Sequence, residues 1–295
     1  MIGLFLSLSP FSSPVSTGTQ RDPRLRFAHG GSADFSGDNG MLYAILSAPG
    51  VHLAALAEDS EFMIPSYKPQ YVFGSFFTKV SLVLRGESMR IYGVRSDPNV
   101  VGFDVFELDT RSNPATPNLV KSKRTVWSEW SKDGIRVLYK QSTIVARAGG
   151  WEVNCTRKPT HNQVSGSSEW HFDIAMRMLD GHTSFESIHG TASKTCLPHG
   201  LIGQSYDTDD VAVDGNRDDY SYRDDNPTVT MRAQAEGAIE GAASDYTLPS
   251  EFDVEFAFSR FGRKSSESCA ARNVTSLGGR KGNRSRPLLV GAFDP

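Results

Sequence analysis

No run of about 18 apolar residues occurs anywhere in this 295-residue chain, so no membrane-spanning helix is expected. Cysteine is scarce. Three residues, Cys155, Cys196 and Cys269, are too few for a disulfide scaffold, and the one bridge expected is Cys155 with Cys196, because Cys269 lies in a tail. Net positive charge is also missing: at −3 the sequence does not suggest a nucleic-acid partner, since phosphate binding calls for a clustered basic surface. The seven histidines (29, 52, 161, 171, 182, 189 and 199) form no His-Glu-x-x-His motif and no Cys-x-x-Cys accompanies them, so nothing presents zinc ligands. Helical periodicity is rare as well. Only Ala233 to Gly241 invites a helix, and its two glycines, Gly237 and Gly241, fit a short turn better. No repeat of fixed period is visible.

What is present is alternation. Phe73 to Leu84, Val101 to Leu108, Ile135 to Tyr139, Trp170 to Met178 and Phe252 to Phe261 place apolar residues at every second position, separated by Gly, Pro, Asn and Asp clusters. That pattern predicts antiparallel strands with one buried and one wet face, as in a sandwich. With 38% hydrophobic and 10% aromatic residues, the sequence is able to bury a full core. The expectation is an all-β, antiparallel β-sandwich-like single domain with disordered termini.

Composition divides the sequence in three. Residues 1–26 are rich in Ser, Pro and Thr and read as a disordered leader or a signal-like segment, since Met1 to Leu8 is apolar but lacks a positive start and an Ala-x-Ala site. Residues 27–261 are the β body. Residues 262–295, with seven Lys/Arg against two acids, read as a basic disordered tail. Three Asn-x-Ser/Thr triplets, at Asn154, Asn273 and Asn283, agree with a secreted or cell-surface protein.

The densest chemistry is an acidic stretch. Between Asp207 and Asp225 stand eight Asp against Arg217 and Arg223, and carboxylates so crowded must spread through water or take up a cation. Counting from Asp214, positions 1, 3 and 5 carry oxygen donors, but position 6 is Asp219 rather than Gly and position 12 is Asp225 rather than Glu, which argues against an EF-hand. The stretch follows Leu197-Pro198-His199-Gly200-Leu201-Ile202-Gly203-Gln204-Ser205-Tyr206-Asp207. This turn resembles the late glycine turn of von Willebrand factor type D modules, and Pro198 to Gln204 is similar to a turn in the C-terminal region of the heavy chains of inter-alpha-trypsin inhibitor. Asp34 to Tyr43, followed by Leu46 to Val51, resembles the opening of the same modules. Ile202 stands where such a module carries a cysteine, so the likeness is to a divergent, cysteine-poor relative.

The resemblance implies a calcium site built from Asp207, Asp209 and Asp214 with Asp34 or Asp38 from the first turn. The alternative is a solvated acidic loop without an ion. It further implies that residues 27–50 lie close to residues 197–261. No catalytic residues are assigned, because Gly203 to Asp207 lacks the last glycine of a nucleophile elbow. Trp127, Trp130 and Trp170 read as core rather than as sugar platforms. The functional expectation is a non-enzymatic extracellular or cell-surface interaction or structural module, stabilised by calcium, whose partner is a protein or a matrix component. The alternative is a secreted carbohydrate-active or other hydrolase using Asp or Glu in a sheet cleft.

Overall fold

The computed structural model describes residues 17–20, 23–65, 67–97, 101–108, 118–119, 129–160, 163–166, 169–179, 197–207, 209 and 211–262. In sequence order the strands are β1 (Thr17–Gln20), β2 (Arg24–Arg26), β3 (Ser32–Asp34), β4 (Met41–Ala48), β5 (Val51–Ile64), β6 (Gln70–Arg85), β7 (Ile91–Ser96), β8 (Asp104–Leu108) and β9 (Asn118–Leu119). They continue with β10 (Glu129–Lys132), β11 (Ile135–Lys140), β12 (Thr143–Ala148), β13 (Trp151–Pro159), β14 (Gln163–Gly166), β15 (Trp170–Met178), β16 (Thr228–Thr230) and β17 (Thr247–Leu248). Among the described residues the helical elements are short 3-10 turns, and no helix is long and apolar enough to cross a membrane.

Two sheets result. One has the order β10-β11-β12-β13-β15-β1-β2-β3, and the other β17-β4-β5-β6-β7-β8-β9 with β14 added to β5 and β16 added to β6. Every pairing is antiparallel except β16 with β6. The sheet begins upstream of residue 27, since β1 and β2 both pair into it.

Alternation explains why the sheets pack. In β11 Ile135, Val137 and Tyr139 are buried while Arg136 and Lys140 face water, so one side of the strand is left apolar. One core joins such faces from both sheets, with Tyr43, Leu53, Leu82 and Val94 meeting Val137, Ile144, Val153 and Ile174. Each fully buried side chain of this kind contributes roughly 2 kcal/mol. Cys155 lies in this core and its thiol is pushed up to about 12 by burial. Its expected partner Cys196, like Cys269, lies outside the described residues.

The expected strand at Phe252 to Phe261 is not formed. Residues 251–262 run instead as successive turns over the outer face of the second sheet. Local bonds replace a ladder: Glu255 N–H donates to Asp253 Oδ1 (2.9 Å), Ser259 N–H to the Phe256 carbonyl (3.1 Å) and Ser259 Oγ to the Val254 carbonyl (2.6 Å). Short polar side chains that satisfy nearby backbone in this way compete with strand pairing. The phenylalanines still anchor the strap. Phe252 packs on Phe106 at 5.1 Å, Phe256 lies 6.0 Å from the His52 ring, and the Phe261 carbonyl accepts from Gly50 N–H.

Candidate functional site

The two ends of the body do meet. Ser47 bridges His199 and Phe35 bridges Gln234, bringing the first turn against the segment after residue 197. The glycine turn owes its shape to close approach. Gly200 sits at φ +108°, and a Cβ there would stand 2.6 Å from the Ile45 carbonyl oxygen, a position that only glycine fills without strain. Gly200 N–H donates to His199 Nδ1 at 3.0 Å, which leaves the proton on Nε2 to face Glu240 Oε2 at 3.4 Å. The ring stacks on Phe258 at 4.4 Å, and burial, opposed by Glu240, lowers its pKa. Gln204 ties the turn further, donating to the Gly200 carbonyl and accepting from Glu240 N–H. His199 is thus a turn-fixing residue.

The acidic stretch docks along the free edge of β3. Asp34 N–H donates to the Asn216 carbonyl and Gly215 N–H to the Ser32 carbonyl, both at 3.0 Å. Asp34 itself is 2% exposed, its Oδ1 taking Arg24 Nε at 2.8 Å and its Oδ2 taking Asp218 N–H at 3.0 Å. Asp214 Oδ1 accepts Ser32 N–H (2.9 Å) and the Arg217 guanidinium (3.2 Å), and Asp209 Oδ1 accepts Val211 N–H (2.8 Å). Asp207 Oδ1 takes Asp209 N–H at 3.3 Å, and burial with the charge of Asp209 raises its pKa. Asp38 belongs to another turn, where its N–H donates to Tyr43 Oη.

Asp34, Asp209 and Asp214 face N–H or guanidinium groups, and Asp207, beside Asp209, accepts an N–H as well. Calcium takes six to eight oxygens around one point, and among the described residues no three His, Cys, Asp or Glu side chains are grouped to hold a metal ion. The five expected ligands therefore do not fit a calcium site in this arrangement. Sequence reading missed Asp218, which accepts Arg232 N–H at 2.9 Å and closes the dock from the other side. Its neighbours' irregular backbone, which needs acceptors, is a spatial fact that the acid count does not carry.

The exposed aromatic surface lies elsewhere. Tyr67, Tyr71, Phe73 and Tyr222 are the exposed aromatic side chains among the described residues, and all stand at the far end of the β5–β6 hairpin. Tyr67 is in its turn, Tyr71 and Phe73 are on β6, and Lys68 reaches over the Tyr222 ring at 4.9 Å. An extra residue at Thr78 explains the exposure, because the register slips there and puts Phe77 on the same face as Val80 and Leu82. Phe73 and Tyr71 continue that face outward. Phe77 is covered by Phe35 at 6.0 Å, Ser75 Oγ accepts Gly37 N–H, and beyond them Phe73 is 44% and Tyr71 37% exposed. A cleft of about 260 Å³ beside Phe73 takes in Asp59, Glu61, Ser165 and Thr230.

A wider cleft of about 730 Å³ opens at the opposite end of β5, ringed by the turns at Gly50, Gly86, Gly134 and Gly149. Its charges are mostly committed: Arg147 pairs with Glu152 at 2.6 Å, Asp133 accepts Ser88 N–H at 2.7 Å, and Arg85 lies over the Phe261 ring at 4.8 Å. Trp130 packs on Tyr92 and Trp170 under Arg157, so neither is an open platform, and Trp127 lies outside the described residues. Asn154 is half-buried in mid-strand, opposite Val145 and Ala175, and the other two Asn-x-Ser/Thr triplets lie outside the described residues. No family model matches the sequence, and no curated protein matches it either.

Proposed function

We propose that this protein is a non-enzymatic interaction module of the extracellular space or cell surface, in which the two-sheet body is a rigid support and the β5–β6 tip recognises a protein or matrix component. The observation that carries this reading is the gathering of Tyr67, Tyr71, Phe73 and Tyr222 at one end of one hairpin. Exposed aromatic area brings no benefit to folding, and a cluster of it rimmed by polar groups is the usual mark of a binding surface. Among the described residues His52, Cys155 and Tyr246, whose pKa values burial displaces most, do not line the cleft beside Phe73.

One observation favours the hydrolase alternative: Asp59 and Glu61 share the cleft beside Phe73. Both come from alternate positions of the same strand, about 7 Å apart along it, a spacing within the roughly 5–9.5 Å of glycosidase pairs, so turnover of the ligand is what separates the two readings.

The test is retention of the full-length protein on immobilised matrix preparations, with release of sugar or peptide followed in the same samples. Retention without turnover, lost in a Tyr71→Ser/Phe73→Ser variant of unchanged melting temperature, is the expected result. Turnover of the matrix, or retention indifferent to the two substitutions, would overturn the proposal.

A further inference from the structure

Strand register gives the tip a definite chemistry. Antiparallel pairing puts Glu61 opposite Phe73 and Met63 opposite Tyr71; the parallel pairing of β16 puts Thr230 beside Phe73 and Thr228 beside Tyr71; and Ser165 of β14 stands opposite Glu61. Paired residues share a face. One row therefore reads Ser165, Glu61, Phe73, Thr230 and the next Met63, Tyr71, Thr228. Each exposed ring is bordered by groups that donate or accept hydrogen bonds, and the two rings are set about 7 Å apart along the strand.

We propose that this face binds a neutral glycan, with successive sugar rings stacked on Tyr71 and Phe73; the inference rests on the reading of the tip as the recognition surface. A sugar ring offers an apolar C–H face and a rim of hydroxyls that both donate and accept. Aromatic faces take the first, and Glu61, Ser165, Thr228 and Thr230 take the second. The cleft beside Phe73 is smaller than the roughly 300 Å³ at which drug-sized pockets begin, a size for one ring rather than a folded ligand.

Charge narrows the class. Asp59 and Glu61 line the cleft and no Lys, Arg or His does so among the described residues, so sulfated or uronate sugars meet like charge at the point of contact. Topology argues against an extended peptide. Such a ligand adds to a free sheet edge, and at the tip β14 and β16 cover β5 and β6, so the outer edges there are strands of only four and three residues.

Affinity electrophoresis of the full-length protein through gels containing hydroxyethylcellulose, galactomannan or laminarin, with heparin as the anionic control, tests the inference. At least one neutral polysaccharide is expected to retard the protein, and Tyr71→Ala and Phe73→Ala are each expected to weaken retardation about tenfold with melting temperature unchanged. Phe73→Tyr, which keeps the ring, is expected to retain it. Failure of all neutral polysaccharides, stronger retardation by heparin, or retardation indifferent to both alanine variants overturns the glycan assignment. Reducing-end release from the retarding polysaccharide would instead overturn the non-enzymatic reading while leaving glycan binding in place, so the two failures are distinguishable.

Discussion

His52 sits wholly inside the protein on β5, paired across the strands with Ser47 and Val83, and neither ring nitrogen has a hydrogen-bond partner. Burial lowers its pKa from 6.5 to about 3. The ring is neutral in the folded protein and readily protonated in the unfolded one, so its contribution to stability is complete above pH 6.5 and drains away as pH falls from there toward 3. The limiting loss is on the order of 5 kcal/mol. Urea midpoints across that window should fall with acid in the native protein and fall less steeply in His52→Leu, which has no proton to take up; equal slopes would remove His52 as the source. Asp218 makes the complementary case for an acid. It holds two backbone N–H groups, those of Arg232 and Ala233, and Asp218→Ala leaves both without their acceptor, an expected cost of about 2 kcal/mol or more by chemical denaturation. The sequence shows the crowd of Asp residues and leaves an ion site and a solvated loop both open, because which N–H groups need acceptors is known only once the loop is placed.

Elements were legible where alternation and burial agree. β11 and β15 coincide with the expected period-2 segments, since each covers the core with one face, and β6 coincides too although it is buried on both faces, Val80, Leu82 and Leu84 in the main core and Val83 under the strap. The strap at 251–262 has the same alternation and no ladder, because Asp253 and Ser259 bond to backbone within the segment. The aromatic tip was hidden for another reason. Phe76 and Phe77 adjoin in sequence, and only the slip at Thr78 decides which of them joins the core face of Val80 and Leu82, and with it which face Phe73 and Tyr71 continue. The glycine turn was recognised from its residues, and its constraint is steep: Gly200→Ala forces a side chain against the Ile45 carbonyl at positive φ. A loss of more than about 2 kcal/mol is expected, read as a lower urea midpoint, and a neutral outcome would mean that the turn yields. The acidic dock next to it is held by N–H donors and arginines. Its melting midpoint is accordingly expected to be the same in millimolar calcium and in chelator, and a rise with calcium that disappears in Asp207→Ala/Asp209→Ala/Asp214→Ala would show that an ion replaces those donors.

At the scale of the whole molecule, two sheets share one core, and the hairpin of β5 and β6 runs the length of the body with a turn-ringed cleft at one end and exposed aromatic rings at the other. The core fixes β6 from Val80 to Leu84, so the tip extends from a rigid base and can present Tyr71 and Phe73 without ordering a loop on binding. The larger cleft and the aromatic tip are thus separated by the length of one strand, far enough for a map of ligand protection to tell them apart. Hydrogen–deuterium exchange of the full-length protein with and without its retained matrix ligand is the most direct test. Slowed exchange confined to residues 59–73, 163–166 and 228–231 is the expected result. Protection centred instead on residues 86–89, 133–134 and 149–150 would place recognition at the turn-ringed end and contradict it.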